Sequence, residues 1–144
     1  MTISEEDRET LIKYRIDQAR EEIGEVEFLL KNNKLKLAVT RIYYGMFYVL
    51  LALALKHKFN TSKHKELIGW FNKNFIKEKK VDQKYGAIIR DAYEKRSDSD
   101  YAVLVNFQKT DVEKMFADMK EFISVLEKYI TGKKSHDQEI LRYQ

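Results

Sequence analysis

Apolar residues recur along most of this chain at alternating steps of three and four, the spacing that lines one face of an α-helix. Ile12, Ile16, Ala19, Ile23, Val26 and Leu30 form the first such seam, about 20 residues long. Ser4-Glu-Glu-Asp7 ahead of it resembles a capping box, with acids where the helix dipole favours them. Lys31-Asn-Asn-Lys34 breaks the pattern and predicts a tight turn between helices. The next stretch, Leu37 to Leu55, is apolar or aromatic on nearly every face and carries one charge, Arg41. A helix hydrophobic all round belongs at the centre of a bundle. Its uncharged run, Ile42 to Leu55, is 14 residues, short of the roughly 20 needed to span a bilayer. A buried core helix over about Leu35 to Lys56 is therefore expected.

A polar connection at Lys58 to Ser62 follows, with Asn60, Thr61 or Ser62 available as N-cap. Leu67, Trp70, Phe71 and Phe75 predict a third helix over roughly 63–77. Val81, Tyr85, Ile88 and Ala92 predict a fourth that runs towards Arg96, ending at the turn formers Ser97 to Asp100. Tyr101, Val103, Val105 and Phe107 alternate, but the run is short and has no partner strand, so it reads as a packed loop or helical remnant. Thr110-Asp-Val-Glu113 is a second capping box, opening a fifth helix with Val112, Met115, Phe116, Met119, Phe122, Ile123, Leu126 and Ile130 on one face. Gly132 suits the position just past its end. The expected fold is all-α, a five-helix up-and-down antiparallel bundle in a single domain over 1–131, with a polar tail at 132–144.

Composition sharpens this picture. The chain has no proline and five glycines in 144 residues, as helical proteins do. It has no cysteine, which excludes disulfides, thiolate nucleophiles and thiolate metal sites and fits a reducing, cytoplasmic setting. The first 30 residues carry a net charge of −5 and no apolar leader core. Residues 56–84 carry a net of +6. That basic middle is either a solvated lysine-rich face or a field that attracts phosphate.

Few chemical signatures are present. There is no phosphate-binding glycine loop, no dinucleotide fingerprint and no HExxH. His57, His64 and His136 lack the helical spacing that would let two bind one metal, and Glu21, Glu22, Glu25 and Glu27 read as an exposed face. Two polar poles remain. On the core helix, Arg41, Tyr44 and Tyr48 share a stripe, beside a greasy one of Tyr43, Phe47, Leu50 and Ala54. At the end of the fourth helix lies Arg96-Ser-Asp-Ser-Asp100-Tyr101. A guanidinium in a dry interior needs a partner, and Asp98 or Asp100 is the expected ion-pair partner of Arg41. Arg96 with Asp100 reads equally as a helix-end salt bridge, and the tyrosines as core aromatics with bonded hydroxyls. Trp70 and Phe71 read as core or as a dimer face.

Arg41-x-Tyr43-Tyr44, then Ser62-Lys-His64 opening a helix with Phe71 and Phe75, then Arg96 and Asp100-Tyr101, is similar to the HEPN superfamily over about residues 5 to 130. The resemblance implies a helical bundle that often dimerises around a nucleotide or RNA site. It also implies, for many members, metal-independent endoribonuclease activity in toxins, without a cofactor and frequently beside a minimal nucleotidyltransferase acting as antitoxin. The family motif is an Arg followed, after four to six residues, by His. Arg96 matches the Arg, but positions 101, 102 and 103 hold Tyr, Ala and Val. Tyrosine, near pKa 10, is a poor substitute for a group that must move a 2′-hydroxyl proton at neutral pH. Three readings stand. One is a ribonuclease using Arg96 with Tyr101 or His64. Another is a binding module holding nucleotide or RNA phosphate with Arg41, Tyr44, Tyr48, Asp98 and Asp100, where Tyr101 would meet the nucleotidyltransferase. The third is a non-catalytic helical adaptor. The missing His favours binding, and no membrane association is expected.

Overall fold

The computed structural model describes residues 3–101 and 106–132, the side chains of 98–101 excepted. The expected tail at 133–144 and the alternating run at 102–105 lie outside those residues. The described residues form five α-helices: α1 (Glu5–Lys31), α2 (Leu35–Lys56), α3 (His64–Phe71), α4 (Lys84–Tyr101) and α5 (Lys109–Thr131). The all-α bundle is as the periodicity predicts, with no strand among the described residues.

The helix α2 packs against each of the other four, as its all-round apolar surface requires. Ala38, Val39, Ile42, Val49, Leu50, Ala52 and Leu53 on it have no exposed surface. Close approach at its middle depends on Gly45, where a Cβ would collide with Met119 Cε and come within 3.3 Å of Glu22 Cβ. Ser4 caps α1, its hydroxyl accepting from the Asp7 N–H, and Gly132 ends α5 in the left-handed conformation at φ 71°. Other helix ends depart from expectation. The N-cap of α5 is Gln108, two residues ahead of the predicted box at Thr110, and its side chain makes no capping hydrogen bond. Lys63 is the N-cap of α3, while Thr61 Oγ1 accepts from the Lys63 N–H. Ser97 to Asp100, expected as turn formers, continue α4 as helix.

The α2–α3 connection matters most for the site. It doubles back, so that the start of α3 meets the middle of α2 (His64 on Tyr43 and Phe47) and its end meets the end of α2 (Trp70 and Phe75 on His57). From Tyr43 to His57 the helix rises about 20 Å, and residues 57–63 can cover that at about 3.3 Å each. Beyond Phe71 the helix widens into one π-type turn, Asn72–Ile76, which seats Phe75 in the core.

Candidate functional site

Arg41 and Arg96, 55 positions apart in sequence, converge on one tyrosine. The Cζ of Arg41 is 5.0 Å from the centre of the Tyr44 ring and that of Arg96 5.4 Å. Arg96 Nη2 donates to the Tyr44 hydroxyl at 3.0 Å. Each guanidinium thus meets the electron-rich ring or its oxygen, a favourable setting for a partly desolvated cation. Tyr48 lies one turn on, its ring 6.0 Å from that of Tyr44. The three-residue stripe predicted on α2 exists and faces the end of α4.

Among the described residues the partner of Arg41 is on α1, its Nε 2.8 Å from Glu22 Oε2. The expected partners, Asp98 and Asp100, have side chains outside those described. Glu22, expected on an exposed face, is buried. Burial pushes its carboxyl above the usual carboxylate range, and Arg41 works against that rise. The signal was present in the sequence: Glu22 falls three residues after Ala19 and four before Val26, both fully buried, so it sits on the seam itself. The pair needs the axial register that sets Glu22 of α1 opposite Arg41 of α2, which the expected turn at 31–34 and the helix period do not specify.

His64 arrives from α3. Its ring stacks on Phe47 with centres 4.0 Å apart, and its Nδ1 lies 2.6 Å from the hydroxyl of Tyr43. Tyr43 was read as part of the greasy stripe. Its ring is fully buried, yet its oxygen belongs to the polar site. Burial raises the Tyr43 pKa well beyond the ordinary phenol value, so it stays protonated. Its one hydroxyl proton finds a single hydrogen-bond acceptor among the described residues, His64 Nδ1. With Tyr43 as the donor, the neutral imidazole carries its own proton on Nε2; with the proton on Nδ1, the imidazole donates and Nε2 keeps its lone pair. Burial, then the positive charge of Arg96, lowers the His64 pKa and favours that neutral form.

This predicts a pH dependence. A histidine whose folded pKa lies below its unfolded value of about 6.5 supports the native state fully above that pH. Support is lost as pH falls through the folded value, because the unfolded chain binds the proton first. The stability gap between wild type and His64→Gln is expected to narrow between pH 7.5 and 5.5, measured by urea unfolding. A gap that holds constant or widens would contradict a neutral, buried imidazole.

The site therefore offers two guanidinium groups, a neutral imidazole, three phenols and one paired carboxylate. Such a set suits an anion with several acceptor oxygens. Tyr101 ends α4 near Arg96 in sequence, but its side chain, like those of Asp98 and Asp100, is outside those described. Among the described residues no three His, Asp or Glu side chains group closely enough to hold a metal ion.

The HEPN domain profile matches residues 12–129. The chain is 36% identical to a UPF0332 protein of Thermotoga maritima, over 86% of this chain and 94% of that protein. It is 31% identical to a Methanocaldococcus jannaschii protein named "Putative toxin MJ0142", over 82% of this chain and 80% of that one. A second protein of that organism, named "Putative toxin MJ0605", is 33% identical over 62% of this chain and 67% of its own length. With a profile that runs from the α1 seam to the end of α5 and takes in both arginines, the chain belongs to the HEPN family.

Proposed function

We propose that this chain is a toxin-type HEPN protein whose polar site binds the phosphate of a nucleotide or an RNA strand. The observation that carries the reading is the convergence of Arg41 and Arg96 on Tyr44, with the His64 ring beside that tyrosine. Its toxin character is supported by the names of two relatives. A minimal nucleotidyltransferase as antitoxin follows from the family resemblance. A homodimer is supported by Phe28 and Leu37, large apolar residues 62% and 58% exposed on the α1–α2 hairpin.

Binding is favoured over catalysis by the state of His64. Its Nδ1 is already engaged with the Tyr43 hydroxyl at 2.6 Å, which leaves at most one ring nitrogen to serve a 2′-hydroxyl proton. The test is a titration of short single-stranded RNA and of nucleotides at several salt concentrations. Affinity should fall with salt, at a slope of about −0.7 per phosphate contact. Arg96→Ala should weaken binding by roughly 10- to 100-fold, as expected for a charge-assisted contact. Salt-independent binding, or none, defeats the phosphate site.

Ribonuclease activity is the second reading, and one observation favours it. The imidazole absent from positions 101–103 is supplied within the same site by α3. RNA cleavage by wild type in EDTA, lost in Arg96→Ala and His64→Gln, would establish it. Equal product from all three proteins would remove it.

A further inference from the structure

Beside the arginine site lies a hollow of about 620 Å³ that the reading above does not use, between α1, α2, the 57–63 connection and the start of α3. Its size is that of small-molecule sites, typically about 300–1,000 Å³. Its walls divide by chemistry. Phe47, Leu51 and Leu55 make an apolar floor, and Phe59 an aromatic side. Phe59 is held as a rigid plate, stacked on Trp70 with centres 4.9 Å apart and planes 3° from parallel. Along the rim run Asn60, Thr61 and Ser62, three short polar side chains in succession, with the cations Arg15 and Lys63 and the carboxylate of Glu66 beside them.

We infer that this hollow is a nucleobase subsite, and that the phosphate of the same nucleotide sits at His64 and Arg96. The inference rests on the phosphate-binding reading and gives it a ligand class. Continuity between the two spaces carries it. Phe47 lines the hollow and also supports the His64 ring at 4.0 Å, and Lys63, on the rim, directly precedes His64. A nucleobase is flat and apolar on its faces, with donors and acceptors around its edge. Aromatic walls take the faces in single-strand recognition, and nearby cations take the adjoining phosphates. Asn60, with both an amide donor and a carbonyl acceptor, matches a base edge. An apolar side chain from a partner protein would cover the floor and leave that rim and its two cations unmatched.

The test uses the full chain and isothermal titration with the four common ribonucleoside 5′-monophosphates and with ribose 5-phosphate, which has the phosphate and no base. At least one monophosphate is expected to bind tenfold or more tighter than ribose 5-phosphate. Ser62→Trp, an exposed rim position, should fill the hollow and erase that advantage while ribose 5-phosphate binds as before. Asn60→Ala, a smaller change that keeps the fold should the tryptophan disturb it, should reduce the advantage severalfold. Arg96→Ala should weaken every ligand. If all monophosphates bind like ribose 5-phosphate and that binding depends on Arg96, the phosphate site stands and the base subsite is wrong. The subsite is likewise wrong if both rim variants keep the full preference, or if Ser62→Trp changes only the oligomeric state. No binding by any phosphate compound overturns both readings together.

Discussion

Phe122→Ala is expected to destabilise the protein by about 3–5 kcal/mol, the range for deleting a buried phenyl ring and leaving a partly unfilled cavity. The ring is fully buried on α5 and meets Phe71 on α3 and Tyr85 on α4, each edge-on, with centres 5.9 and 6.0 Å away. Edge-to-face pairs add to the area term, so both contacts contribute beyond simple burial. Loosening this wedge frees the α3–α4 pair from α5, and those two helices carry His64 and Arg96. The variant should therefore lose phosphate affinity as well as stability, whereas Phe122→Leu, which leaves a smaller void, should lose much less of each. Denaturant unfolding monitored by circular dichroism checks the first effect. A loss under 1 kcal/mol for Phe122→Ala, below any ordinary cost for such a deletion, would mean the three helices do not share this core.

Arg41→Leu is expected to cost about 1–3 kcal/mol at neutral pH, chiefly because the Glu22 carboxylate is left without its counter-charge. The Glu22 side chain is 12% exposed and that of Arg41 35%, so solvent screening holds the figure below that of a fully buried pair. The double replacement Arg41→Leu with Glu22→Gln should recover most of the loss, since no uncompensated charge remains. The penalty should also shrink with acid. The folded-state pKa of Glu22 is already raised by burial, and losing Arg41 raises it further. A carboxyl with a raised folded pKa supports the native state below its unfolded value, about 4.3. That support is lost as pH rises through the folded value. Unfolding of the two variants at pH 7.5 and pH 5 separates this account from simple loss of packing, which would be insensitive to pH and unrecovered in the double variant.

Much of this was legible without coordinates. The α1 seam, the all-round apolar α2 and the one-sided face of α5 each repeat with the period of a single helix, and burial follows that repeat nearly residue by residue. Arg41, Tyr44 and Tyr48 were placed on a common stripe for the same reason: positions three and four apart on a helix are neighbours whatever surrounds them. Glu22 shows the limit of that logic. Its phase on the seam marks it as inward-facing, but the cluster of acids around it at 21, 25 and 27 masks the signal, and only its partner explains how a carboxylate is tolerated there.

The amino-acid sequence by itself determined the five helices, the choice of α2 as the centre of the bundle and the common stripe of Arg41, Tyr44 and Tyr48, because these depend on local periodicity and residue type. Only the tertiary structure decided that Arg41 pairs with Glu22, that the buried Tyr43 turns its hydroxyl to His64, and that a doubled-back connection sets His64 and the adjoining hollow against Phe47. Each of those contacts joins separate helices, so each is set by how far one helix is slid and rotated against its neighbour. A short turn predicts that two helices run antiparallel, but a pattern of threes and fours does not encode that slide and rotation.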